Sequence, residues 1–381
     1  MLLLFCLVAS VYFSSSMTTN SGYIDKHYPL TYTAFKCPSA SFIDRINGDI
    51  EKPEWEDVPW SEPFDDIRGP GDAPPSSRPP SGCSTRVKMM WDEKYLYIAA
   101  LLESLDRTVV TSFTERNSPI FQQDSDFEVF IDPAGSCHNY KELELNAFNT
   151  VWNLLLDKPY DDGGQEHSGR VAKDPSDSKY WEVHHEVTAT KIHWGRLNDP
   201  NGAIWSVEIA LAHSDSLSMY PSSLKRSFFP RKGTQWRINF SRVEDKGQIN
   251  WTWAKQVVWD PKLRRYQGKV AMHLPDAWGY LNFAESRDDK EIFDETFPVR
   301  FAAMNVYYAQ RYYKQLHNKY ASTKDELIPY TDESVLAPFD IHISTTPNHA
   351  EYKANLRCRK GSVLEASVTY DRLLWSNSKG M

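Results

Sequence analysis

Between residues 41 and 286 the chain repeats one pattern: short segments of alternating apolar and polar residues, separated by clusters rich in Pro, Gly, Asp and Asn. A period of two is the signature of a β-strand, because successive side chains point to opposite faces, and many short strands divided by turn signals predict an antiparallel β-sandwich. In FEVFID, Phe127, Val129 and Ile131 share one face while Glu128, Phe130 and Asp132 share the other. Leu143, Leu145 and Ala147 oppose Glu142, Glu144 and Asn146; Trp205, Val207, Ile209 and Leu211 oppose Ser206 and Glu208; Trp236, Ile238 and Phe240 oppose Arg237, Asn239 and Ser241. Several strands therefore carry charge and amide groups on one side. That side is either a solvated sheet face or the lining of a ligand groove, since both call for the same residues. The run from Gly69 to Gly82 holds too much Pro and Gly for a helix or strand interior and reads as a mobile surface excursion.

The 381 residues exceed the roughly 100 to 200 of a single domain. A second unit is expected over 287–381, where the period changes. Phe301, Met304, Tyr308, Tyr312, Leu316 and Tyr320 recur at steps of three to four, which predicts an amphipathic helix with that stripe turned to a core. Thr323 and Glu326 fit a capping box, and FDIHIST, EYKANLRC and VLEASVTY read as three strands. The unit is a small α+β appendage, suited to covering an edge of the sandwich.

Residues 2–13 form an apolar run of signal-peptide length, followed by Ser14 to Ser16; the expectation is an exported protein with a signal peptide over 1–16 and a linker over 17–40. The run is too short for a membrane span, and no later segment is apolar enough for one. Without Cys6, the chain keeps Cys37, Cys83, Cys137 and Cys358, an even number that suits two disulfides in an oxidising compartment, with the pairing open. Asn239 and Asn250 both begin N-glycosylation sequons, and Asn250, in a more turn-like stretch, is the expected acceptor. The net charge of -8, with no basic block, argues against nucleic acid as a partner.

The ordered series INGDIEKPEW (46–55), TRVKMMWDEKYLYIAA (85–100), DSDFEVFIDP (124–133), YKELELNAFNT (140–150), WSVEIAL (205–211), WRINFSR (236–242) and LPDAWGYLNF (274–283) resembles the family 9 carbohydrate-binding modules and the wider DOMON-like superfamily. The resemblance spans about two thirds of the chain. It implies a sandwich that binds an oligo- or polysaccharide, holding a sugar between two aromatic rings while a carboxylate and amides reach its hydroxyls. The first ring then falls on Phe121, the carboxylate on Glu128 and the amide on Asn239, around a groove for one or two sugar rings. The second ring position falls near Met272, and a strand position where the family uses arginine falls on Glu144. Both are departures, and a methionine is a softer, less directional surface than an aromatic ring. The resemblance also implies structural calcium, for which Asp124, Asp126, Asp132, Asp161 and Asp162 offer oxygen ligands.

Catalysis is not expected. The chain has no Gly-x-Ser-x-Gly elbow, no His-Glu-x-x-His and no phosphate loop, and nothing in the sequence sets two carboxylates at a glycosidase separation. His184 and His185 are adjacent, so on a strand they face opposite ways and cannot share a metal. Two other functions compete. One is a haem-binding DOMON-type redox domain using Met272 with His273 or Met89 as axial ligands. The other is a structural or adhesive module with a flat apolar patch in place of the groove.

Overall fold

The computed structural model describes residues 26–39, 42–104, 109–194, 202–359 and 363–377. The expected signal peptide, most of the expected linker and Cys6 lie outside them. The strands in chain order are β1 (Thr31–Lys36), β2 (Asp65–Asp66), β3 (Thr85–Trp91), β4 (Tyr95–Ser104), β5 (Asp126–Asp132), β6 (Tyr140–Asn146), β7 (Val151–Leu156), β8 (Glu166–His167), β9 (Val187–Trp194), β10 (Ala203–Ala212), β11 (Gln235–Glu244), β12 (Ile249–Thr252), β13 (Val257–Asp260), β14 (Arg265–Gly268) and β15 (Gly279–Ala284). Thirteen of these form one curled sheet whose main path runs β8-β7-β6-β5-β11-β15-β1-β3-β4-β10-β9. The sheet folds over at β1, which pairs in parallel with β15 on one side and β3 on the other; the remaining pairings are antiparallel.

The two halves close on a single core in the parity read from the sequence. Phe127, Val129, Ile131, Ile238 and Phe240 of one half join Val87, Met89, Ile98, Val207 and Ile209 of the other. The opposite faces are not wet, however. Every residue of β5, β6, β7 and β10 is buried, polar ones included. On β10, Glu208 is fully buried and accepts from Asn47 N and Gly48 N at 2.9 Å each, Trp55 Nε1 at 2.8 Å and Lys52 Nζ at 2.7 Å. One carboxylate thus folds the INGDIEKPEW segment onto the sheet. Gly48 is needed there because its φ is +81° and an added Cβ would lie 2.7 Å from the Thr190 carbonyl carbon. The Gly69–Gly82 run lies at the surface but is tethered: Trp251 Nε1 donates to Ser77 O, and Arg265 and Gly268 N donate to Asp72.

The C-terminal region packs helix α1 (Phe297–His317) against a separate antiparallel sheet of β16 (Phe339–Thr345), β17 (Tyr352–Cys358), β18 (Glu365–Thr369) and β19 (Leu374–Ser376). The capping box of α2 (Lys324–Leu327) forms between Thr323 and Glu326 as read. The helix stripe is only partly core. Leu316 is 53% exposed and Tyr320 lies beyond the left-handed Asn318 that ends α1, while Val299, Ala302, Ala303, Val306 and Tyr313 enter the C-terminal core. Met304 belongs to that core as well, with Phe301 and Tyr308 packed against it, and the three also line the seam with Trp259 and Tyr280 of the sandwich, so α1 is covered on two sides.

A buried and a half-buried histidine give the fold an acid-sensitive element. His213 donates from Nε2 to Asp92 O (2.9 Å), and Tyr140 Oη lies 2.9 Å from His273 Nδ1; burial lowers both to a pKa of about 4. A histidine depressed in the folded state adds stability above its unfolded pKa near 6.5 and loses it as pH falls toward 4, since the unfolded chain takes up the proton first. The expected loss at pH 5 is about 2 kcal/mol per histidine. Urea unfolding at pH 7 and pH 5 should show a smaller drop for His213→Gln than for the parent; equal drops would contradict the assignment.

Candidate functional site

The antiparallel register of β5, β6 and β11 decides which polar residues meet. Glu128 sits opposite Glu144, Asp126 opposite Asn146 and Phe130 opposite Glu142; on the other flank of β5, Ser241 faces Glu128 and Asn239 faces Phe130. Because side chains two apart share a face, Asp126, Glu128, Glu142, Glu144, Asn239 and Ser241 all project from the side of this sheet away from the core. Over it lies a second apolar layer that includes Ile67, Ile120, Phe130, Trp152, Met272 and Trp278, with Phe121 packed against it. The Phe121 ring meets Trp152 edge to face, with centroids 5.7 Å apart.

The expected site residues are therefore on one side of the sandwich, but most of them are roofed. Glu128 is 5% exposed, Glu144 1%, Met272 8% and Asn239 fully buried, so they do not line an open groove. Asn239 is also occupied: Nδ2 donates to Ala254 O, and Oδ1 accepts from the backbone N–H of Phe240 and Ala254. It pins the 254 segment to β11 and leaves little to offer a ligand. Met272 fills the roof beside Trp278, whose Nε1 donates to Met272 O. Phe121 alone of the five is partly exposed, and Gln122 and Gln123 beside it are exposed.

Beneath the roof, carboxylates gather without counter-charge. Ligand oxygens of Asp126, Glu128 and Glu144 all lie within 4.8 Å of one another. Both oxygens of Asp126, and Oε2 of Glu142 and of Glu144, lack a hydrogen-bond partner. Among the described residues, none of these four acids is in an ion pair. Removal from water raises the pKa of every one, that of Glu128 to about 7, and for Asp126, Glu142 and Glu144 the neighbouring acids push in the same direction. The sequence reading placed Glu128, Glu142 and Glu144 on this face by parity and named Asp126 as a possible calcium ligand, but it did not bring the four together; the same parity extends to Asp126, two residues from Glu128.

Of the aspartates considered for calcium, Asp124 accepts from Ser112, Phe113 N and Asn146, and Asp162 is held by Arg311 and Arg372. Asp132 accepts from Cys137 N through one oxygen, and Asp161 is exposed. Asp126 alone of the five has both oxygens free and further acids within coordination distance, which fits a cation. The axial haem pair does not assemble. Met272 and His273 are chain neighbours in the same outer apolar layer, which contains Phe130 and Tyr140, and so do not face each other across a macrocycle, while Met89 lies in the core between the two sheet halves. His184 and His185 lie in a non-strand stretch, where both backbone N–H groups donate to Asp215 Oδ2.

No disulfide joins Cys37, Cys83, Cys137 and Cys358. Cys37 Sγ donates to Ser39 O and Cys83 Sγ to Glu103 O, while Cys137 belongs to the C-terminal core, against which Cys358 also packs. Asn239 has no room for a glycan, and Asn250 is partly exposed on β12 with Nδ2 donating to Gly247 O.

Residues 46–254 match the family model described as carbohydrate family 9 binding domain-like. No curated protein matches the chain. Similar solved structures include a "putative carbohydrate-binding protein" from Bacteroides uniformis, 14% identical over 67% of this chain and 99% of that one, with a TM-score of 0.42. A family 9 carbohydrate binding module from Caldicellulosiruptor kristjanssonii was solved with cellotriose (16% identical, 70% of this chain and 98% of that one, TM-score 0.37) and with glucose (15%, 68% and 99%, TM-score 0.37).

Proposed function

Because the chain belongs to the carbohydrate family 9 binding domain-like family, we propose that it is an exported, non-catalytic protein that binds a glycan on the β5–β6–β11 side of its sandwich. The observation that carries this reading is the family match over 46–254, which contains β5, β6 and β11 and therefore the whole polar face. The contact surface is the margin of the roofed layer: the partly exposed Phe121 ring offers a flat apolar face for a sugar, and the exposed Gln122 and Gln123 amides offer donors and acceptors for its hydroxyls. Glu128, Glu144, Asn239 and Met272 lie behind that surface and hold its shape. Binding rather than catalysis fits their burial, because an acid–base pair must reach the bond it cleaves. In an exported protein Asn250 is the glycan acceptor.

A glycan array followed by calorimetry on the full chain tests the reading. Phe121→Ala should weaken the best array ligand by about tenfold, or about 1.4 kcal/mol, as expected for one lost stacking partner. Failure of every saccharide to bind the parent, or an unchanged affinity in Phe121→Ala, would refute it.

A further inference from the structure

We propose that Asp126, Glu128 and Glu144 form a binding site for one hard divalent cation of calcium's size, held inside the sandwich between β5 and β6. The cluster is not a surface accumulation of acids. Asp126 is fully buried, Glu144 1% exposed and Glu128 5% exposed, and solvent cannot screen their mutual repulsion. Buried carboxylates ordinarily occur paired with a cation or saturated with hydrogen bonds. Here both oxygens of Asp126 and one of Glu144 have no partner, and no lysine, arginine or histidine among the described residues pairs with any of the three. Three unsatisfied acceptors in one buried carboxylate cluster call for a positive charge.

The geometry selects an ion over a larger cationic group. One oxygen from each of the three residues lies within 4.8 Å of the other two. Three oxygens that close lie within about 2.8 Å of a common centre, so a small inward shift of the side chains brings them to calcium–oxygen distances of about 2.3 to 2.6 Å. The donor set is carboxylate oxygen alone, which suits calcium over zinc or copper, whose sites draw on nitrogen and sulfur. The register makes the site: Glu128 and Glu144 are directly opposed across an antiparallel pair, and Asp126 is two residues along β5. Glu144 occupies the position where the sequence resemblance expects arginine, so a third carboxylate stands where a fixed cation was expected, and a bound ion restores the missing charge. The inference is independent of saccharide binding.

The test uses the full chain stripped with a chelator, then titrated with calcium chloride and, separately, terbium chloride. The expected result is one calcium per chain by calorimetry, a thermal midpoint raised by several degrees, and tryptophan-sensitised terbium emission that calcium displaces, Trp152 being the cross-strand neighbour of Glu144. In Asp126→Asn and in Glu144→Gln the calcium response should vanish. The metal-free variants should nevertheless unfold no earlier than the metal-free parent, because each amide removes a repulsive charge while keeping the side-chain shape. Glu128→Gln is a third variant should either of the others fail to fold. No calcium heat and no midpoint change in the parent at millimolar calcium would overturn the proposal, as would a calcium response that survives in the folded variants.

Discussion

Glu208→Ala should lower the stability of the sandwich by about 3–5 kcal/mol, the usual cost of removing one partner from a buried charge network. Glu208 is fully buried and gathers four donors, Asn47 N, Gly48 N, Lys52 Nζ and Trp55 Nε1. Without it, two backbone N–H groups and an indole N–H lose their acceptor, and Lys52, with a side chain only 10% exposed, keeps only the Arg45 carbonyl and an uncompensated charge. Glu208→Gln is the sharper variant. The backbone groups use Oε2 and the indole uses Oε1, so whichever end becomes NH₂ faces a donor. Chemical denaturation should show Glu208→Gln destabilised by at least about 2 kcal/mol, consistent with buried donors left unsatisfied. A change within about 0.5 kcal/mol, the range of ordinary surface substitutions, would contradict the role assigned to this carboxylate.

Arg372→Met is the second large effect expected. Arg372 lies in the turn between β18 and β19, is 2% exposed, and reaches out of the C-terminal sheet to Asp162 (2.9 Å) and Asp276 (3.4 Å) of the sandwich. Tyr308 Oη donates to Asp276 at 2.8 Å, and Arg311 pairs with Asp162 at 2.7 Å. Methionine preserves much of the volume but leaves Asp276 with Tyr308 alone, so a loss of about 3–5 kcal/mol is expected, concentrated at the seam. Faster limited proteolysis of the C-terminal region, together with a lower thermal midpoint, would show it. Adding Asp276→Asn to Arg372→Met should recover part of the loss. Unchanged proteolysis and midpoint would mean that the arginine does not hold the two regions together.

The strands most legible in the sequence were those whose alternation reports burial on one side: β5, β6, β10 and β11 all put their apolar set into the main core as expected. The capping box of α2 and three of the four C-terminal strands were equally local signals, fixed by residues a few positions apart. The α1 stripe was less legible, because a helix packed on two sides has no single apolar face. The cysteines misled because an even count carries no information about distance.

The candidate site divides in the same way. Alternation within β5, β6 and β11 determined that Phe130, Glu128, Glu144 and Asn239 leave the core side, because strand geometry sends residues two apart to one face whatever the rest of the chain does. Whether that face meets water was decided by segments outside these strands, those carrying Ile67, Ile120, Met272 and Trp278, which fold across it. That covering turns what would have been a solvated acidic face into a buried cluster of opposed carboxylates. A side chain's direction is set by its own strand, whereas its dielectric surroundings are set by whatever the tertiary fold lays on top of it.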